Sequence, residues 1–146
     1  IDLPNDNEIF TSSYGRQNAS ERETYIDVRN DNLNESNINF IEMNSTNMLE
    51  KFKNVSFDLV WVDGDHHNPQ VTIDIMNSLQ LLHADSIICV DDIVMGSQRT
   101  DYVSNESYLT LKNLEKNNLV KTDYVIKRTF KNQRLKKHVS VSMLSK

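Results

Sequence analysis

Two short apolar runs dominate the hydropathy pattern. Phe57-Asp58-Leu59-Val60-Trp61-Val62 is apolar at all but one position, and Ile87-Ile88-Cys89-Val90 at every one. Nearly continuous apolar runs of this length, rich in β-branched and aromatic residues, predict buried strands covered on both faces. Between them Val71, Ile75, Met76, Leu79 and Leu82 form an apolar stripe at helical spacing. That helix opens on Asn68-Pro69, with Asn68 as cap and Pro69 at the first helical position, where a missing N–H costs nothing. Strand, helix and strand in this order predict a parallel, right-handed βαβ unit.

The flanking segments are patterned less strongly. Residues 5–36 are polar, with one helix expected over 19–33 that turns Tyr25, Ile26 and Val28 inward. A strand is expected over 38–43, and Asn44-Ser45-Thr46 then caps a short helix carrying Met48, Leu49 and Phe52. Tyr108, Leu111 and Leu114 predict a helix near 107–117. Two runs at 124–130 and 138–144 flank a basic polar turn and predict an antiparallel hairpin, with polar alternation clearest in its second strand. The whole chain, 1–146, reads as one α/β domain.

Composition narrows the function classes. With 38% hydrophobic and 25% charged residues the chain is ordinary globular material. A net charge of −5 argues against a dedicated nucleic-acid binder. The single cysteine, Cys89, excludes an internal disulfide and reads as a small core residue. No run is long and apolar enough to span a membrane, and no leader pattern opens the chain, so a cytoplasmic location is the expectation. The Asn-x-Ser/Thr triplets, such as Asn18-Ala19-Ser20, read as chance in an Asn-rich sequence. Ile1-Asp2-Leu3-Pro4 has no initiator Met and reads as the end of a strand, so the chain is expected to be part of a longer one.

The unusual residues stand where the two apolar strands stop. Asp63-Gly64-Asp65-His66-His67 follows the first and Asp91-Asp92 the second. Open parallel sheets bind ligands beyond the carboxyl ends of their strands. Adjacent strands lie ~4.8 Å apart, so these acids can converge. Carboxylates so close repel one another, and a divalent cation such as Mg²⁺ would remove the repulsion. The plainer reading is that each Asp caps a helix or closes a turn. An imidazole, with an unperturbed pKa of ~6.5, suits proton removal near neutrality, which makes His66 a candidate general base. His66 and His67 are neighbours, so one of them is expected to face solvent.

This order of features resembles the fourth and fifth strands of class I S-adenosylmethionine-dependent methyltransferases. It is most similar to the small-molecule branch with an Asp-Gly-Asp-His signature and to the magnesium-dependent macrolide-sugar O-methyltransferases. The resemblance runs from about Ile38 onward and includes the terminal hairpin. It implies a Rossmann-like, mostly parallel sheet closed by an antiparallel hairpin, acting with S-adenosylmethionine on a small-molecule hydroxyl. It further implies Asp63, Asp91 and Asp92 as ligands of Mg²⁺, Asp63 and His66 as catalytic residues, Asn44 and Ser45 near the adenine, and Asp2 at the ribose hydroxyls. Asp63 also belongs to the implied cofactor set.

The sequence departs from that pattern in two places. The first strand and its glycine-rich loop are missing, since the only glycines are at 15, 64 and 96. His83-Ala84-Asp85 stands where the family has a Pro-Gly-Gly turn. Two other functions compete: a degenerate methyltransferase-like binding module, and a metal-dependent glycosyltransferase using Asp63-Gly64-Asp65. Methylation of nucleic acid would draw on the basic set Lys127, Arg128, Lys131, Arg134, Lys136 and Lys137, which also suits a solvated turn protecting a sheet edge.

Overall fold

The computed structural model describes residues 1–12, 16–96, 104–130 and 135–145. Contacts cluster into two compact units, Ile1–Met48 and Leu49–Lys146.

The first unit contains helices α1 (Glu8–Ser12) and α2 (Ala19–Leu33). Helix α2 has the bounds expected from the sequence, and Asn18 caps it by accepting from the Ser20 N–H. Its inward face differs from expectation, because no residue of α2 is buried; Tyr25 and Val28 are exposed. Cations lying on rings take the place of an apolar stripe. The Arg16 guanidinium lies 4.2 Å from the Phe10 ring centre and 4.9 Å from that of Tyr25, and Arg29 lies 4.6 Å from that of Phe40. Each such contact is worth roughly 0.5–2 kcal/mol, depending on its burial. The strand expected over 38–43 is reduced to one parallel bridge, Asp2 to Glu42. Among the described residues only Asp2 pairs with it, so no ladder develops. Asn44 then caps a single 3-10 turn, Ser45–Asn47, which leads into the short helix α3 (Met48–Lys51).

The second unit is a four-stranded mixed sheet with two helices on one face. Strand β1 (Phe57–Val62) pairs in parallel with β2 (Leu82–Ile93), and helix α4 (Gln70–Gln80) joins them. Helix α5 (Glu106–Lys116) leads to the antiparallel hairpin of β3 (Val120–Phe130) and β4 (Leu135–Leu144). The spatial order is β1-β2-β4-β3, so the described sheet has one parallel pair and two antiparallel ones. Val62, Ile88 and Val90 on the sheet meet Val71 and Ile75 of α4 and Leu111 and Leu114 of α5 in one core. Asn118, in the left-handed region at φ 55°, ends α5: its N–H donates to Glu115 O and the Leu119 N–H to Leu114 O. Asparagine tolerates that conformation better than most residues.

Four further sequence expectations change. Strand β1 is covered on one face only, for its Leu59 and Trp61 are 54% and 51% exposed, whereas Ile88, Cys89 and Val90 of β2 are all buried. Pro69, not Asn68, holds the N-cap position of α4; the Asn68 side chain accepts from the Thr72 hydroxyl instead. Asp74 and Ser78 join the buried face of α4 while Met76 is exposed. In β4 the alternation is inverted, with Ser140 and Ser142 buried and Met143 exposed. The serines are satisfied there: the Val90 N–H donates to Ser140 Oγ, and Ser142 bonds the Thr122 hydroxyl. Cys89 is buried, as expected, and burial pushes its thiol pKa up. Among the described residues no helix is long and apolar enough to cross a membrane.

Candidate functional site

Strands β1 and β2 run in parallel, so Asp63 and the Asp91-Asp92 pair emerge at the same end of the second unit. In a regular strand neighbouring residues point to opposite faces. Asp91 and Asp92 escape this because a bulge lies between Val90 and Ile93, where β2 carries one residue more than β4. Asp92 takes φ 49°, a left-handed conformation costing about 1–2 kcal/mol in a residue other than glycine. Its N–H donates to Asp91 Oδ1 at 2.6 Å. The bulge turns both carboxylates toward one place, as bulges beside functional sites commonly do.

A second bulge faces the first. Between Ile126 and Arg128, β3 carries an extra residue, Lys127. Its ammonium reaches Asp91 Oδ2 at 2.6 Å and Asp92 Oδ1 at 3.5 Å. Lys137 of β4 donates to Asp92 Oδ2. Burial works to raise the Asp92 pKa, but the hydrogen bond and charge of Lys137, with the charges of Lys127 and His66, outweigh it and hold the carboxyl below its usual range. The hydrogen bond to Asp91 in turn raises the pKa of Lys127, keeping it a cation and not a proton acceptor.

The β1 end is different. Asp63 has a side chain 56% exposed, and among the described residues no ammonium bonds it. Partial burial and then the Asp91 charge push its pKa up, against the pull of His66 and Lys127. His66 Nε2 lies 3.8 Å from Asp63 Oδ1 and 3.9 Å from Asp92 Oδ2, between the two strand ends. The neighbouring His67 is engaged elsewhere: its N–H donates to Asp65 Oδ1, which also lies 3.1 Å from its Nδ1. Asp65 therefore closes the turn, and His66 is the histidine of the site. Gly64 packs against the α4 carboxylate Asp74, whose Oδ2 lies 3.4 Å from where a Cβ would stand.

The implied cofactor residues of the first unit are also accounted for. Asp2 accepts from its neighbour's N–H through Oδ1 and pairs with Arg29 through Oδ2 at 3.1 Å. Arg29 also bonds Asn5 and Glu42, so it ties together the two segments of the bridge. Asn44 spends its side-chain oxygen on the N–H and hydroxyl of Thr46. Ser45 opens the following turn.

The metal-ligand set implied by resemblance finds a different environment. Among the described residues no group of three His, Cys, Asp or Glu side chains is arranged to hold a metal ion. Asp91 and Asp92 are met by ammonium groups, and Asp63 is met by His66. Lys127 and Lys137, which from sequence belong with a solvated or phosphate-binding turn, are consumed by these pairs. No sequence signal marks them, beyond an excess of bases in the hairpin that follows two acidic strand ends. Lys131 and Arg134 lie outside the described residues, as does most of 95–104, the expected acceptor segment.

Comparison with known proteins agrees with this architecture. A family model described as a methyltransferase domain matches residues 5–93, which run through both units. No curated protein sequence is detectably similar to the chain. Cofactor-bound Rv0187 from MTB superposes with a TM-score of 0.62 at 14% identity, over 87% of this chain and 58% of that one. An O-methyltransferase from Bacillus cereus in complex with SAH gives 0.52 at 18% identity, over 83% and 59%. A chain assigned as an rRNA methylase from Clostridium thermocellum gives 0.52 at 17% identity, over 86% and 68%. At these identities the likeness is one of fold, and the chain spans less than two thirds of the length of the first two structures. The family match covers more than half of the sequence and includes the β1 and β2 ends, and the chain belongs to the methyltransferase-domain family.

Proposed function

We propose that the chain is part of an S-adenosylmethionine-dependent O-methyltransferase acting on a small-molecule hydroxyl. The observation that carries this reading is His66, with Nε2 3.8 Å from Asp63 and 3.9 Å from Asp92 at the carboxyl end of the parallel strands. S-adenosylmethionine, when bound, supplies a methyl group on a cationic sulfur. An uncharged hydroxyl attacks such a carbon poorly and must shed its proton during transfer. On this reading His66 Nε2 takes that proton, a role worth typically about 10²–10⁴-fold in rate. The imidazolium so formed would lie between two carboxylates, which stabilise it. The remaining requirement is in-line positioning of oxygen and methyl group.

Within the first unit this reading assigns Asp2 to the ribose hydroxyls and Asn44 with Ser45 to the adenine. Both Asp2 oxygens already hold one partner, and each carboxylate oxygen can accept a second bond. Within the second unit Asp63 serves both as His66's partner and on the cofactor side. No step passes through a metal, because two of the three carboxylates that would ligate one, Asp91 and Asp92, already carry ammonium cations. The glycosyltransferase alternative loses support from Asp65, whose Oδ1 is tied into the turn with His67. A cytoplasmic location and a sugar acceptor stay part of the proposal.

Isothermal titration with S-adenosylhomocysteine tests the cofactor assignment. The expected result is one-to-one binding that weakens on Asp2→Ala. Binding or hydrolysis of a nucleotide sugar, with no heat from S-adenosylhomocysteine, would overturn it. Binding without transfer to any hydroxyl acceptor would make the chain a binding module instead.

A further inference from the structure

The Asp91-Asp92 pair invites a divalent cation by its chemistry, yet each of its four carboxylate oxygens already faces a hydrogen-bond or ion-pair partner. Asp91 Oδ1 accepts from the Asp92 N–H at 2.6 Å, and Asp91 Oδ2 from Lys127 at 2.6 Å. Asp92 Oδ1 lies 3.5 Å from the Lys127 ammonium, and Asp92 Oδ2 accepts from Lys137. Mg²⁺ needs bare oxygens at ~2.0–2.1 Å and keeps several of its waters. The Asp91 side chain is 6% exposed, which leaves little room for a hydrated ion. An ammonium makes smaller demands, since it bonds through its own hydrogens and arrives on a chain already packed in the sheet.

The backbone makes this arrangement specific. The β2 bulge at Asp91-Asp92 and the β3 bulge at Lys127 flank the same β4 residue, His138, which pairs with Ile93 on one side and Ile126 on the other. Each bulge is one residue long and each delivers a charged side chain of opposite sign. We propose that Lys127 and Lys137 are built-in counter-cations of Asp91 and Asp92, occupying the place a divalent metal would otherwise take. The hairpin thereby does for the β2 end what a bound ion would do: it cancels carboxylate repulsion and fixes both side chains. This inference concerns the carboxylates alone and holds whether or not the chain transfers methyl groups.

Titration of the full chain with Mg²⁺ and with Mn²⁺, followed by calorimetry and by the Mn²⁺ electron paramagnetic resonance signal, tests it. The wild type is expected to give no saturable binding that depends on Asp91 and Asp92. Lys127→Met with Lys137→Met should expose the oxygens and bind Mn²⁺ at least tenfold more tightly, with the gain abolished by adding Asp91→Asn. Where that double variant fails to fold, Lys137→Met alone should show a smaller gain of the same kind. One-to-one Mg²⁺ binding by the wild type that disappears in Asp91→Asn would overturn the inference. So would lysine variants that fold and gain no affinity.

Discussion

The two parallel strands of the second unit end in the same residue type and meet opposite fates. At the β2 end, Asp91 and Asp92 are buried or half-buried and bound by two ammonium groups, and Asp92 is held more acidic than usual. At the β1 end, Asp63 is half exposed, bonded to no ammonium among the described residues and held less acidic. Two unit charges ~4 Å apart interact by about 4 kcal/mol at an effective dielectric constant of ~20, so compensation decides which carboxylates are fixed and which are available. The β2 end is a locked electrostatic floor. The β1 end, with His66 set between the two, is the part we propose to exchange protons with a substrate.

His66→Ala should break the comparison most sharply. Turnover is expected to fall by about 10²–10⁴-fold with cofactor binding little changed. Single-turnover kinetics beside calorimetry would check this, and wild-type rates would return His66 to an ordinary turn residue. Lys127→Met comes next. It leaves a buried carboxylate without its cation, a loss of about 3–5 kcal/mol for a fully buried pair and about 2 kcal/mol here, because the ammonium is partly exposed. Urea unfolding at neutral pH measures it, and unchanged stability would show that the β2 end is not locked.

Acid separates the two ends by sign. The lowered Asp92 pKa means its pairing stabilises the fold above the ordinary value of 3.8 and is lost as pH falls through the lower folded value. Asp63, with its pKa raised from 3.8, does the reverse: its ionised form is disfavoured in the fold, and the penalty is complete only above the raised value. Asp92→Asn should therefore lower stability at neutral pH and flatten its decline in acid. Asp63→Asn should leave neutral-pH stability equal or higher by less than about 1 kcal/mol, while still slowing turnover. Urea midpoints across the acid range read both, and parallel behaviour of the two variants would erase the distinction. Gly64→Ala should be the smallest perturbation, under about 1 kcal/mol, because the nearest atom is an ordinary contact away.

Strand β1 and helix α2 were legible to the residue, β1 because a dense apolar run is a local signal; the cap that starts α2, Asn18, emerged only from the structure. The hairpin was legible from its flanking alternation, and Asp63, His66, Asp91 and Asp92 from their place after apolar runs. The bulges were not. Whether Asp91 and Asp92 face one side depends on pairing with Ser140 and His138, nearly fifty positions away, and no local pattern encodes a one-residue insertion in such a ladder. The roles of Lys127 and Lys137 were hidden for the same reason: on a solvated hairpin a lysine is unremarkable until the strand beside it is known. The inverted burial of Ser140 and Ser142 also escapes local reading, since each serine is satisfied by a neighbouring strand.

The most direct measurement is transfer of labelled methyl from S-adenosylmethionine to a panel of phenolic and sugar hydroxyls, run in chelator on wild type and on His66→Ala. A methylated product is expected in chelator, falling by about 10²–10⁴-fold in the variant with its circular dichroism unchanged. A product that vanishes in chelator and returns with Mg²⁺, or a variant that turns over at the wild-type rate, would contradict that expectation.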